Sequence, residues 1–226
     1  MSKVKIERPK IMDPREIEAT SMAIIEPYLK EFQFRSGEKE IYKRVIHTTG
    51  EPSIASQIKI SPNFVSVTTA ALRRKCTIIT DAEMVKAGIN KRNLTICGND
   101  VVCAIHDPEV IKLAQKVGTT RAVAAVSYLA PEIEQSIFAV GNAPTALYEV
   151  LRLIVEGDLR PAAIIGVPVG FVGAAESKEL LISLAPQLAE MGIAWIALQG
   201  TRGGSAIAAT IINALLIQVT REEQNV

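Results

Sequence analysis

His47 and His106 are the only two histidines in this chain of 226 residues, and imidazole is the side chain best suited to proton transfer near neutral pH. At about 100° per residue on a helix, Ile41, Tyr42, Val45 and Ile46 share one side, and Lys43, Arg44, His47 and Thr48 share the other. His47 therefore stands between two cations, at i−4 and i−3. Positive neighbours disfavour imidazolium, so the ring is expected to be neutral in the empty protein. A carboxylate-rich ligand would neutralise Lys43 and Arg44 and favour proton uptake, coupling acid–base chemistry to binding. The residues alone leave a second reading open, an exposed histidine on a solvated helix face. His106 directly precedes Asp107-Pro108 and reads as a loop or capping residue.

Three glycine-bearing turns are the other candidates. In IIGVPVGFVGAAESKE (164–179), a buried strand enters a turn holding Gly166, Gly170 and Gly173, and a helix opens at Ala174. Free N–H groups at a helix start suit an anion, and Lys178, one turn on, joins the candidate substrate-binding residues. Glycines spaced four and three apart match neither G-x-G-x-x-G nor the P-loop, so a nucleotide site is poorly supported. A plain structural turn is the alternative. The stretches AVGNAPTALY (139–148) and ALQGTRGGSAIAAT (197–210) repeat the design. Gathered at one sheet edge, such small residues are expected to leave room for something large. Arg121, in GTTRAVAAV, is placed either to meet a ligand carboxylate or to be a surface arginine. No G-x-S-x-G or H-E-x-x-H occurs, and Cys76, Cys97 and Cys103 match no zinc spacing. Covalent hydrolysis and a protein-bound metal are thus unsupported, and the cysteines read as structural thiols.

These residues need elements to hold them. CTIIT (76–80), VVCAI (101–105), SIFAV (136–140), AAIIGVP (162–168) and AWIAL (194–198) are short and almost wholly apolar, as strands covered on both faces are. Helical segments lie between them. Asp107-Pro108 and Ser61-Pro62 have the form of an N-cap followed by proline, Asn142 is placed to cap the next long helix, and Gly157 to end it. Alternation of this kind implies an α/β fold, a doubly wound, mostly parallel five-stranded sheet with helices on both faces. Ligands on such sheets bind at the carboxyl ends of the strands. The first ~75 residues read instead as an N-terminal helical extension, packed on a single domain spanning 1–226.

Composition narrows the partners. A net charge of +1 sets up no field that draws the chain to nucleic acid or a membrane, and 4% aromatic residues argue against base-stacking platforms. No uncharged run approaches the ~20 residues needed to cross a bilayer. The stretch MSKVKIERPKIMDPRE lacks the apolar core of a signal peptide. The expected location is the cytoplasm.

With these segments in view, the chain resembles the precorrin-8X methylmutase family over nearly its full length. The matching segments are EATSMAII (18–25), RVIHTTG (44–50), SPNFVSVTTAAL (61–72), TDAEMVKAGI (80–89), TTRAVAA (119–125), VGNAPTALY (140–148), GVPVGFVGAAESKE (166–179) and GGSAIAATIINAL (203–215). GNAPTAL and GVPVGFVGAAESK are highly specific. The resemblance implies a flavodoxin-like isomerase of cobalamin biosynthesis. Such an enzyme moves a methyl group from C-11 to C-12 of precorrin-8X or cobalt-precorrin-8, giving hydrogenobyrinate or cobyrinate. It further implies His47 as the active-site histidine, Ser21 and Arg44 as its polar neighbours, Arg121 near the substrate, and a homodimer with the substrate cavity near the interface. No cofactor is implied, and any cobalt travels in the substrate. A non-catalytic carrier of corrinoid intermediates is the alternative. One departure stands out: the family's usual R-G-R-x-G-G-S is here Gln199-Gly200-Thr201-Arg202-Gly203-Gly204-Ser205, which puts a carboxylate contact from this loop in doubt.

Overall fold

In the computed structural model, which describes residues 11–223, the chain runs through α1 (Pro14–Ile25), α2 (Glu38–Thr49), β1 (Ile58–Ile60), α3 (Phe64–Arg73), β2 (Ile78–Thr80), α4 (Glu83–Gly88) and α5 (Lys91–Cys97). It continues with β3 (Val101–Val102), α6 (Pro108–Val117), α7 (Arg121–Tyr128), α8 (Ala130–Ile133), β4 (Ile137–Val140) and α9 (Pro144–Gly157). The last elements are β5 (Ala163–Gly166), α10 (Ala174–Ser183), α11 (Ala185–Glu190), β6 (Ala194–Leu198) and α12 (Ser205–Glu223). Of the charged N-terminal stretch noted above, residues 1–10 lie outside the described residues.

All five apolar runs form strands, and every residue of β2, β4, β5 and β6 is buried. Period-2 alternation divides their side chains between two cores. Ile137, Ile165 and Ile196 meet α2, α3 and α12 on one face, while Phe138, Ile164 and Trp195 meet α7, α9, α10 and α11 on the other. In space the strands lie β1-β6-β5-β4-β2-β3. The five parallel strands, counted in chain order, thus have the 2-1-3-4-5 arrangement of flavodoxin-like sheets, with the switch point between β2 and β4.

A sixth strand corrects the expected count of five. Ile58-Lys59-Ile60 pairs antiparallel with β6, Ile58 opposite Leu198. Its three residues alternate apolar, charged and apolar but are too few to announce a strand, and pairing with the free edge of β6 makes them one. The register has a consequence for the site. Since β1 runs against β6, the chain that precedes it, including the end of α2, lies at the carboxyl end of β6, and the Gln199 N–H donates to Gln57 O at 2.9 Å. The N-terminal third is therefore woven into the sheet instead of being appended to it. Only α1 fits the word extension, with Ile25 its sole buried residue.

Four helix caps were expected, and the structure treats them unequally. Asp107 does cap α6, accepting from the Glu109 N–H at 2.8 Å. Ser61 does not cap α3. Its main-chain N–H donates to Trp195 O and its hydroxyl accepts from the Trp195 N–H, both at 2.9 Å, so it extends the β1–β6 ladder. Asn142 does not cap α9: the helix starts at Pro144, its N-cap position is Ala143, and no side chain caps it. Gly157 is the last residue of α9, and the left-handed turn beyond it is made by Asp158.

Candidate active site

His47 sits near the C-terminal end of α2, whose buried face is Ile41, Tyr42, Val45 and Ile46, as the helical wheel requires. Its Nδ1 lies 2.7 Å from the Ser21 hydroxyl on α1. A hydroxyl both donates and accepts, so this contact orients the ring whether Nδ1 carries a proton or not. Among the described residues Nε2 has no partner, which leaves it for a ligand. The imidazole is exposed.

Lys43 and Arg44 are not the bare cations of the sequence argument. Lys43 and Lys39 both pair with Glu26, whose carboxyl is held down to about 2, first by its hydrogen bonds to the two lysines. Arg44 Nε donates to Glu40 at 2.7 Å, and a terminal nitrogen meets Glu18 at 3.2 Å. The premise of two unanswered charges beside His47 therefore fails. Acids of α1, of the turn after it and of α2 itself answer them. A cleft of about 310 Å³, lined by residues that include Arg15, Glu18, Glu40, Lys43, Arg44 and Arg221, opens beside this network. His47 is not part of the cleft wall.

The three glycine turns do converge at the carboxyl edge, but main chain fills much of the space between them. A Cβ on Gly141 would come within 2.8 Å of Ser205 Cα, and one on Gly203 within 2.3 Å of Val167 O. These two glycines are small because backbone packs against them, which corrects the expectation that they leave room for a ligand. Gly200 and Gly204 of the third turn do face open space.

At the switch point the carboxylate of Asp81, directly after β2, accepts from the N–H groups of Gly141, Asn142 and Ala143 at 2.9, 2.9 and 2.6 Å. Three main-chain donors of the turn that leads into α9 are thus taken by the protein's own acid. Burial pushes the Asp81 carboxyl up, against the opposing pull of these three N–H groups. Asp81 is not among the residues that motif or spacing singles out. The available signal was its place immediately after an all-apolar strand.

Lys178 departs furthest from expectation. A substrate-binding candidate by sequence, it is fully buried, with Nζ donating to Pro168 O at 3.0 Å and to Arg202 O at 2.5 Å. Burial pushes the amine down to about 8. Arg121 is exposed at the start of α7, where neighbouring Thr120 meets Thr145 of α9 hydroxyl to hydroxyl at 3.2 Å. Arg202 is turned to Glu51, 2.6 Å away. The structure thus brings Ser21, Arg44 and His47 into one corner, leaves Arg121 on the helix layer across the sheet, and buries Lys178. His106 is an exposed residue of the turn before α6.

Comparison with known proteins agrees with this architecture. The family model for precorrin-8X methylmutase matches residues 16–218. A cobalt-precorrin-8 methylmutase of Salmonella typhimurium is 42% identical over 213 residues, covering 91% of this chain and 96% of the relative. A precorrin-8X methylmutase of Sinorhizobium is 38% identical over 205 residues, covering 91% and 95%. The crystal structure of a precorrin-8X methylmutase from Thermus thermophilus superposes with a TM-score of 0.81 at 31% identity, over 92% of this chain and 99% of that one. A match across nearly the whole chain, in sequence and in fold alike, places this protein in the precorrin-8X methylmutase family.

Proposed function

We propose that His47 handles the proton in an intramolecular methyl shift on a corrinoid ring, from C-11 to C-12 of precorrin-8X or its cobalt form. Methylmutases are isomerases, and the activity here is that of the family, a step of cobalamin biosynthesis. The observation that carries the role of His47 is its 2.7 Å contact with Ser21, at the carboxyl edge of a sheet whose topology favours ligands there. With Nδ1–H donating to Ser21, Nε2 gives or takes a proton without any rearrangement of the ring. During the shift the methyl's bond to C-11 breaks as its bond to C-12 forms, and the π electrons relocate within the macrocycle. A proton lent to the ring and later returned leaves the formula unchanged, as an isomerisation requires. Electrons balance within the substrate, so no resident cofactor enters, and cobalt, where present, belongs to the substrate.

Arg44 meets a substrate carboxylate in this reading, while Arg121, across the sheet, does not share the His47 corner of its own chain. Arg44 must exchange Glu18 or Glu40 for that carboxylate, so its contribution is a difference between two ion pairs. Ile17, Ile24 and Tyr28 are 47%, 63% and 55% exposed and follow the same helical line as Ser21. That unpaired apolar line supports a homodimer, in which a second copy closes over His47 and supplies the missing walls. A reducing, cytoplasmic setting belongs to the same reading.

The test is to incubate the purified protein with precorrin-8X or its cobalt form and follow the visible spectrum. Conversion by wild type and its loss in His47→Ala support the reading. Tight binding without conversion by wild type would leave a carrier, and full conversion by His47→Ala would remove the imidazole from the mechanism.

A further inference from the structure

Lys178 is a charged residue in a place where an apolar one would pack at lower cost. Its side chain is 0% exposed, and no carboxylate bonds it among the described residues. Its partners are two main-chain carbonyls, Pro168 in the turn after β5 and Arg202 in the turn after β6. The same two turns are joined by the Gly204 N–H to Val167 O at 2.9 Å and the Gly170 N–H to Thr201 O at 3.1 Å. The second turn then reaches the segment bearing His47 by two routes. The Arg202 guanidinium meets Glu51, four residues beyond His47, at 2.6 Å. In α12, which the turn leads into, Thr210 meets Thr48, the residue after His47, hydroxyl to hydroxyl at 2.8 Å.

From this geometry we infer that Lys178 is a positioning residue for His47: by stapling the turns after β5 and β6, it fixes the place from which Arg202 and α12 hold the end of α2. Its ammonium never reaches the substrate. A backbone carbonyl has no side chain to supply its donor, so two turn carbonyls buried together need a third party with several N–H groups, and a lysine from α10 is that party. The inference rests on the role given to His47, and its test separates the two.

The decisive experiment compares Lys178→Met, Arg202→Ala, Arg202→Lys and wild type by NMR of the histidine side chains and by steady-state kinetics. With only two histidines in the chain, His106 serves as an internal control. Lys178→Met, which keeps the volume and removes the donors, is expected to shift the His47 ring resonances while His106 stays put. Its kcat is expected to fall roughly ten- to hundredfold with KM little changed, the signature of a displaced group. Arg202→Ala should move the His47 resonances in the same direction, with Arg202→Lys restoring part of the shift. Its mutation adds little to Lys178→Met, because both cut one linkage. Unmoved His47 resonances in a folded Lys178→Met overturn the inference. Should that variant fail to fold, Arg202→Ala on the surface carries the test, and wild-type resonances there overturn it equally. The NMR readout does not depend on His47 being catalytic, so a failure of that role appears only in the kinetics of His47→Ala.

Discussion

Two regions meet at the carboxyl edge of the sheet, and they are built on opposite principles. The turns after β4, β5 and β6 are held by main-chain atoms and by two buried ionisable groups, Asp81 and Lys178, each bonded to backbone. The α1–α2 corner is held by side chains that water reaches: Glu26 with Lys39 and Lys43, Glu18 with Arg44, and Ser21 with His47. Buried polar groups lose far more when a partner is removed than exposed pairs do. The first region is therefore a frame and the second an adjustable mount. A proton-transfer residue that must admit a bulky substrate belongs on the mount. The frame beneath it keeps the adjustment small.

Substitutions sharpen this contrast. Asp81→Ala strands three N–H groups, two of them in partly buried main chain, and is expected to cost about 3–5 kcal/mol of unfolding free energy in urea titrations. A loss below roughly 1 kcal/mol would mean that water replaces the carboxylate and the frame is softer than described. Ser61→Ala removes the hydroxyl that accepts from the Trp195 N–H, for an expected loss of about 1–2 kcal/mol. On the mount the pattern inverts. Ser21→Ala should leave stability within about 1 kcal/mol while lowering kcat roughly tenfold, since it frees the ring to turn. Equal stability losses for Ser21→Ala and Ser61→Ala would erase the distinction.

The smallest effect is the response to acid. Glu26 has its folded pKa lowered to about 2, so its contribution is present above the ordinary carboxylate range and fades as pH falls from about 4.5 towards about 2. Hydrogen exchange should therefore show α1 amides losing protection in that window while β4 and β5 stay protected. Simultaneous loss in both regions would show that α1 docking is part of the global fold.

Much of this architecture is legible beforehand. An all-apolar run such as SIFAV has no stable place except between two helix layers, and a run of that kind recurring between helices leaves little choice but a parallel sheet. The wheel around His47 is equally direct, because a helix's periodicity is a local property. Glu40 stands four residues before Arg44, so that pair is readable from spacing too. Glu26 and Glu18 are not, since their approach depends on how α1 folds back along α2. Ser21 entered only through family resemblance, 26 residues away from the ring it holds.

By itself, then, the sequence determined the layers, the order of helix and strand, and which face of α2 carries the imidazole, all through periodicities that span a few residues. Tertiary structure alone decided that Ile58-Lys59-Ile60 becomes a strand, that Asp81 takes the N–H groups of the turn before α9, and that Lys178 points inward. Each of these is a bond to main chain ten or more residues distant. A main-chain N–H or C=O is the same at every position, so no residue type announces which of them will lack a partner until the turns have met.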